Sequence, residues 1–225
     1  MPSWRRVFAG WRGSWVGDPL QAYVEELFAQ EDAVLRGIRS RSDEGGLPQI
    51  QVPPSTGRLL QVLVRLAGAG RVLEVGALGG YSAVWIARAL SETGSLLTLE
   101  REPRHAAVTR ETLRRAGLEE RVEVREGEAL ELLAALKGPF DVVFLDADKE
   151  ALSLYLEHAA RLLKTGGLLL ADNALWRGEV TSPQDGSPGA HVDRFNRALA
   201  QDPRFLATVV PVGDGVAVGV RLPAE

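Results

Sequence analysis

At 225 residues, with 45% apolar and 25% charged side chains, the chain has the composition of one globular domain with a sizeable core. A net charge of −4 argues against a broad nucleic-acid-binding surface, and the absence of cysteine excludes disulfides, thiolate metal sites and cysteine nucleophiles. No uncharged apolar run is long enough to span a bilayer, so neither nucleic acid nor membrane is an expected partner and the expected location is cytoplasmic. Residues 1–16 carry Arg5, Arg6 and Arg12 beside Trp4, Trp11 and Trp15, without the continuous apolar core of a secretory signal. Residues 1–17 read as an arm packing on its own subunit or a partner. Residues 18–225 read as a single domain, with N-terminal helices over 18–70 and an α/β core over 71–225.

Asp18 suits the N-cap of a helix opened by Pro19, and Leu20, Val24, Leu27, Phe28 and Leu35 keep helical spacing to about residue 39. A polar loop over 40–46 and an extended run over 47–53 follow. Pro54 then opens a helix with the apolar stripe Leu59, Leu60, Leu63, Val64 and Leu66, ended by Gly68 and Gly70. From there strands at 72–75, 96–100, 122–125, 142–146 and 167–172 alternate with helices at 82–90, 103–116, 129–136, 152–163 and 191–201. Such alternation predicts a doubly wound, mostly parallel sheet with helices on both faces. The stretches 208–212 and 216–221 flank Gly213-Asp214-Gly215 and predict a closing antiparallel hairpin. Residues 184–189, rich in Pro, Gly and Ser, read as a mobile loop.

The chain is organised around 72–82, Val-Leu-Glu-Val-Gly-Ala-Leu-Gly-Gly-Tyr-Ser: a buried strand, a glycine turn, and a helix entered through small residues. Gly76, Gly79 and Gly80 permit backbone geometry and ligand approach that a Cβ would obstruct, and the helix amides point into the turn. Tight packing alone would also explain these glycines. Two acids favour a nucleotide-type cofactor instead. Glu100 closes the next strand, where an acid meets ribose hydroxyls in such folds, and Glu74 stands inside a strand where a charge without a task is costly.

Beyond the later strands lie Asp146-Ala147-Asp148-Lys149 and Asp172-Asn173. Oxygen donors at adjoining strand ends suit a hard divalent cation, and Lys149 can reach the same space as a general base. Asp146 or Asp148 could instead N-cap the next helix, and Asp172-Asn173 could be a turn pair. Lysine occurs only at 137, 149 and 164 although Lys and Arg together number 26, a hint that an amine able to deprotonate is needed at 149. Trp176 and Arg177 could wall a substrate mouth, and His191 could approach the pocket; His105 and His158 read as solvated or packed.

These segments, together with 144–149, 171–178 and 211–215, resemble the cation-dependent, S-adenosylmethionine-dependent O-methyltransferases, which include catechol and caffeoyl-CoA O-methyltransferases and bacterial relatives. The resemblance implies a Rossmann-like methyltransferase fold and transfer to a catechol-like or caffeoyl-type vicinal diol. It assigns S-adenosylmethionine to Val52, Glu74, Gly76, Ala77, Gly80, Tyr81, Ser82, Glu100, Gly127, Ala129 and Asp146. It assigns a divalent cation (Mg²⁺ first, Ca²⁺ or Mn²⁺ next) to Asp146, Asp172 and Asn173, catalysis to Lys149 with Asp146, and substrate contact to Trp176 and Lys149. A small phenolic acceptor and a homodimer are the partners it implies. Ile50 stands where many bacterial members have methionine. Rival readings are a nicotinamide dehydrogenase, a nucleic-acid methyltransferase, a methyltransferase acting without a metal bridge, and a non-catalytic cofactor-binding protein.

Overall fold

The computed structural model describes residues 19–224, so the 1–17 arm and the Asp18 cap lie outside the described residues. Seven strands form one sheet in the order β3-β2-β1-β4-β5-β7-β6. In chain order they are β1 (Arg71–Val75), β2 (Ser95–Glu100), β3 (Val122–Glu126), β4 (Phe140–Leu145), β5 (Leu163–Asp172), β6 (Phe205–Val210) and β7 (Val216–Arg221). The first five are parallel, while β7 pairs antiparallel with both β5 and β6. The helices are α1 (Pro19–Phe28), α2 (Ala33–Glu44), α3 (Pro54–Leu66), α4 (Tyr81–Ala87), α5 (Pro103–Ala116), α6 (Ala129–Ala135), α7 (Leu152–Leu162) and α8 (Pro188–Gln201).

Neighbours along a strand point to opposite faces, and both members of such pairs are buried, which identifies a sheet covered on two sides. Leu73, Val75, Val143, Leu145 and Leu169 pack with residues of α7 and α8, including Tyr155, Leu156, Val192 and Phe195. Val72, Val142, Phe144 and Leu170 pack on the other face with α2, α3 and α4 through Leu35, Ile38, Leu60 and Trp85. Gly57 is the contact point of α3 on α4: a Cβ there would lie 2.4 Å from the Trp85 Nε1.

The single helix expected from 19 to about 39 is two helices. The chain leaves helical geometry after Phe28 because Asp32 restarts it as an N-cap, its Oδ1 accepting from the Leu35 amide at 3.0 Å. The polar loop expected at 40–46 is mostly helix, since α2 runs to Glu44. Ser42 holds an inward position on the Leu35–Ile38 stripe, fully buried behind Gly79, and its hydroxyl hides the helical period from a hydropathy reading. Helix α8 starts at Pro188 instead of 191, capped by the Ser187 Oγ, so the end of the predicted loop is the first helical turn. Strand β5 starts at Leu163, four residues early, with a register shift opposite Phe140–Val142. Strand β6 covers 205–210 instead of 208–212, Phe205 being buried opposite Arg221.

Candidate active site

The order β2-β1-β4 places the topological switch point at the carboxyl ends of β1 and β4, where ligands lie in doubly wound sheets. Gly76 ends β1 at φ 96°, and a Cβ there would sit 2.2 Å from the Asp146 carbonyl oxygen. Any larger residue would force the strand ends apart. Gly80, at φ 83°, is the residue from which α4 starts.

Glu100, 8% exposed, ties this turn together. Its Oε2 accepts from the Ala77 and Leu78 amides at 3.1 and 2.8 Å, and its Oε1 accepts from the Glu102 amide at 2.9 Å. A carboxylate oxygen has two lone pairs, so Oε1 keeps acceptor capacity for a hydroxyl. The Gly127 amide donates to the Glu100 carbonyl at 3.0 Å, which brings the start of α6, with Ala129, beside the same acid. His105 belongs here too, its Nδ1 3.7 Å from the Glu100 Oε1; sequence reading left it as a surface or packing residue.

Glu74 is fully buried on β1. Its Oε1 accepts from the Ser82 hydroxyl at 2.6 Å, and the Thr98 hydroxyl also favours the charged carboxyl, although the Oε2 makes no hydrogen bond of good geometry among the described residues. Burial outweighs the Ser82 and Thr98 hydroxyls and raises the carboxyl to about 7. Tyr81 turns its side chain away from the sheet edge. Its hydroxyl donates to the Glu31 Oε1 at 2.7 Å, and its ring meets the Arg39 guanidinium at 4.8 Å and Trp85 edge-on at 6.4 Å. Glu31, which sequence reading passed over, therefore fastens the α1–α2 connection to the first residue of α4. Val52 is buried with the core on the α3 side.

The register Leu145↔Ala171 sets Asp146 and Asp172 side by side, one residue further along β4 and β5. Lys149 is only 9% exposed, its Nζ 3.6 Å from the Asp146 Oδ1 and 5.8 Å from the centre of the Trp176 ring. The Asp172 Oδ1 is buried and unpartnered among the described residues. Burial raises the Asp146 carboxyl, with Lys149 opposing the shift. Burial first, then the charge of Asp146, pushes Asp172 up to about 8, again opposed by Lys149. Neither Asp146 nor Asp148 is the N-cap of α7, which is Ala151 without a side-chain bond; Asp148 bonds just ahead of the helix, its Oδ1 accepting from the Ala151 amide at 3.0 Å and its Oδ2 from the Tyr155 hydroxyl at 2.7 Å.

Past Asp172 the chain makes an arch whose Asn173, Trp176 and Arg177 have φ of 60°, 41° and 53°. Left-handed geometry costs a non-glycine residue roughly 1–2 kcal/mol, so the surroundings must impose it. Asp214 supplies part of that constraint, its Oδ1 accepting from the Arg177 amide at 2.7 Å. Asn196 on α8 donates to the Ala174 carbonyl at 2.7 Å. The sequence marks Asp214 only as part of the hairpin turn, which hides its bond to the arch, and Asn196 reads as a helix-surface amide. His191 lies in the first turn of α8, its amide bonded to the Ser187 carbonyl, and Gly189 of the same turn backs Trp176.

Asp146, Asp172 and Asn173 offer oxygen donors only, with one Asp172 oxygen buried and unmatched, a donor set that suits a hard cation. Among the described residues no three His, Cys, Asp or Glu side chains converge as a ready-made ion cage; this set is two carboxylates and an amide.

A glycine turn at the switch point, an acid closing the next strand, and an antiparallel β7 between β5 and β6 define the class as a Rossmann-like methyltransferase fold. A sequence profile described as O-methyltransferase matches residues 25–222, and the chain belongs to that family. A catechol O-methyltransferase from Niastella koreensis is 39% identical over 208 residues, covering 88% of this chain and 94% of that protein. A catechol O-methyltransferase from Mycobacterium tuberculosis is 37% identical over 192 residues, covering 85% and 87%. The crystal structure of the Bacillus cereus O-methyltransferase in complex with S-adenosylhomocysteine matches with a TM-score of 0.84 at 36% identity, covering 90% of this chain and 97% of that one. The protein is thus an S-adenosylmethionine-dependent O-methyltransferase.

Proposed function

We propose that the enzyme methylates one hydroxyl of a catechol-like or caffeoyl-type vicinal diol, with a divalent cation held by Asp146, Asp172 and Asn173. The observation that carries this reading is the acid pair. Asp146 and Asp172 stand side by side, Lys149 lies 3.6 Å from the first, and burial raises both carboxyls. Two adjoining carboxyls that burial holds back from ionising, one with an unmatched buried oxygen, are a donor set that a hard cation would suit. Relatives named as catechol O-methyltransferases support the acceptor class. Mg²⁺ is the first candidate, with Ca²⁺ and Mn²⁺ as alternatives.

A bound cation would supply Lewis acidity, lowering the pKa of an acceptor hydroxyl and setting its orientation. The remaining work falls to the chain's own residues. Lys149, neutral at the moment of reaction, takes the hydroxyl proton on its Nζ. Trp176 offers an aromatic wall along which a planar ring stacks, within 6 Å of the Lys149 Nζ. On the donor side, Glu100 would hold a ribose hydroxyl and the Glu74 carboxylate would favour the cofactor's α-amino group. Gly76, Ala77, Gly80, Tyr81 and Ser82 form the turn around the methionine part, and Val52, Gly127 and Ala129 complete the walls. Asp146, at the boundary of the two halves, belongs to both. Holding donor and acceptor in line supplies much of the acceleration.

The reading extends to a cytoplasmic homodimer of a single domain preceded by the 1–17 arm. Tyr23 and Phe28 on α1 are 59% and 63% exposed, and an apolar patch of this kind suits a protein contact.

The test is methyl transfer from S-adenosylmethionine to catechols, caffeoyl esters and monophenols, with Mg²⁺ or with chelator. Transfer to vicinal diols that stops with chelator and returns with Mg²⁺ is the expected result. Transfer that survives chelation, or that favours monophenols, would count against the metal-held diol.

A further inference from the structure

We infer that Asp214, in the turn between β6 and β7, is a positioning residue that locks the 173–178 arch and thereby fixes Asn173 and Trp176 against Lys149 and the acid pair. The role given to Asn173 and Trp176 rests on the function proposed above; the locking itself rests on geometry alone.

The arch does not hold its shape by intrinsic preference. Asn173, Trp176, Arg177 and Gly178 all have positive φ, and three of these are not glycine. Its internal bonds, Trp176 amide to Asn173 carbonyl at 3.1 Å and Gly178 amide to Leu175 carbonyl at 2.9 Å, close turns but do not anchor them. The anchors come from the hairpin turn. The Ala174 amide donates to the Gly215 carbonyl and the Leu175 amide to the Asp214 carbonyl, both at 2.9 Å. These end at Leu175, before the strained pair. The Asp214 carboxylate reaches past them to the Arg177 amide at 2.7 Å.

An aspartate that merely shapes its own turn bonds a backbone amide about two residues on. Asp214 instead bonds a residue 37 positions earlier. The turn that carries it is itself fixed. A Cβ on Gly215 would lie 2.5 Å from the Leu175 Cγ, and one on Gly213 would lie 2.5 Å from the Thr56 Oγ1 and 2.9 Å from the Pro53 Cγ. Pro53 follows Val52 directly, so the turn is wedged between the segment assigned to the cofactor and the arch assigned to the acceptor. The carboxylate also adds to the negative charge around Asp172.

Two variants of the full chain separate the bond from the charge. Asn keeps an acceptor oxygen at the same place; Ala removes it. Hydrogen exchange of the 173–180 segment without ligands, S-adenosylmethionine affinity by calorimetry, and kcat and KM for a catechol are measured for Asp214→Ala and Asp214→Asn. For Asp214→Ala, losing a charge-assisted bond predicts exchange faster by about 10-fold or more, kcat lower by a similar factor, and cofactor affinity within about 3-fold. Asp214→Asn should stay near wild type in all three. Unchanged exchange in Asp214→Ala would overturn the inference, as would cofactor affinity falling in step with kcat. If Asp214→Ala does not fold, Asp214→Asn decides alone, and a kcat loss of about 10-fold or more with native exchange would show that the charge, not the lock, matters. Wild-type turnover that survives chelation would defeat the metal reading and leave the exchange result standing.

Discussion

Glu74 is fully buried in the sheet, one oxygen held by the Ser82 hydroxyl and the other without a hydrogen bond of good geometry. Its carboxyl stands near 7 in the folded chain against an ordinary 4.5, with burial as the main cause. Below about 4.5 it is protonated in both folded and unfolded states and has no effect on pH dependence. Between about 4.5 and 7 only the folded state keeps the proton, so stability falls as pH rises; above 7 the loss is complete and amounts to roughly 3 kcal/mol. Glu74→Gln accepts the Ser82 hydroxyl without a charge. Urea denaturation without cofactor should show its stability rising relative to wild type from pH 4.5 to 8, and a constant difference across that range would refute the assignment. A cationic group against the Oε2 would reverse the sign, which is the electrical case for an amino group there. Lys149 is the converse, an amine whose side chain is only 9% exposed. Lys149→Met should lower kcat by about 10²–10⁴-fold while calorimetry finds cofactor affinity nearly unchanged. Equal losses in both would remove its role as base.

Among the elements, β1, β2, β4 and their helices were legible because each carries an apolar run, a glycine or proline boundary, and a polar residue at the strand end. The sheet order then did what no periodicity can: it brought residues at 76, 100, 146 and 172 to one edge. What sequence reading missed were polar residues in structural positions. Ser42 sits inside α2 behind Gly79, and Asp32 splits one apparent helix into two. Asp214 is legible as a turn residue but its partner is not, and Asn196 is not legible at all, since their partners in the arch lie 37 and 22 residues away. A hydrophobic pattern reports which face is buried. It says nothing of which backbone amide a distant carboxylate will meet.

For the whole molecule, α1 is the element least absorbed into the core. None of its residues is buried, and its ties include Glu25, whose Oε1 accepts from the Ser55 hydroxyl at 2.8 Å. The sequence marked its apolar residues for a core that the fold does not supply. If that face joins two copies, Phe28→Glu should shift the protein toward monomer in sedimentation velocity, with the fold intact by circular dichroism. An unchanged sedimentation coefficient, whether of monomer or of dimer, would rule α1 out of the contact.

The antiparallel β7 has one more consequence, in time instead of space. It is hydrogen-bonded to β5 on one side and β6 on the other, and the turn before it carries Asp214. During synthesis β1 to β5 and the glycine turn leave the ribosome first, so the half assigned to the cofactor can assemble while β5 still has an open edge. The arch waits for the hairpin. In synthesis the glycine turn and β5 precede Asp214, so the bond that fixes the arch is the last of these contacts whose two partners both exist.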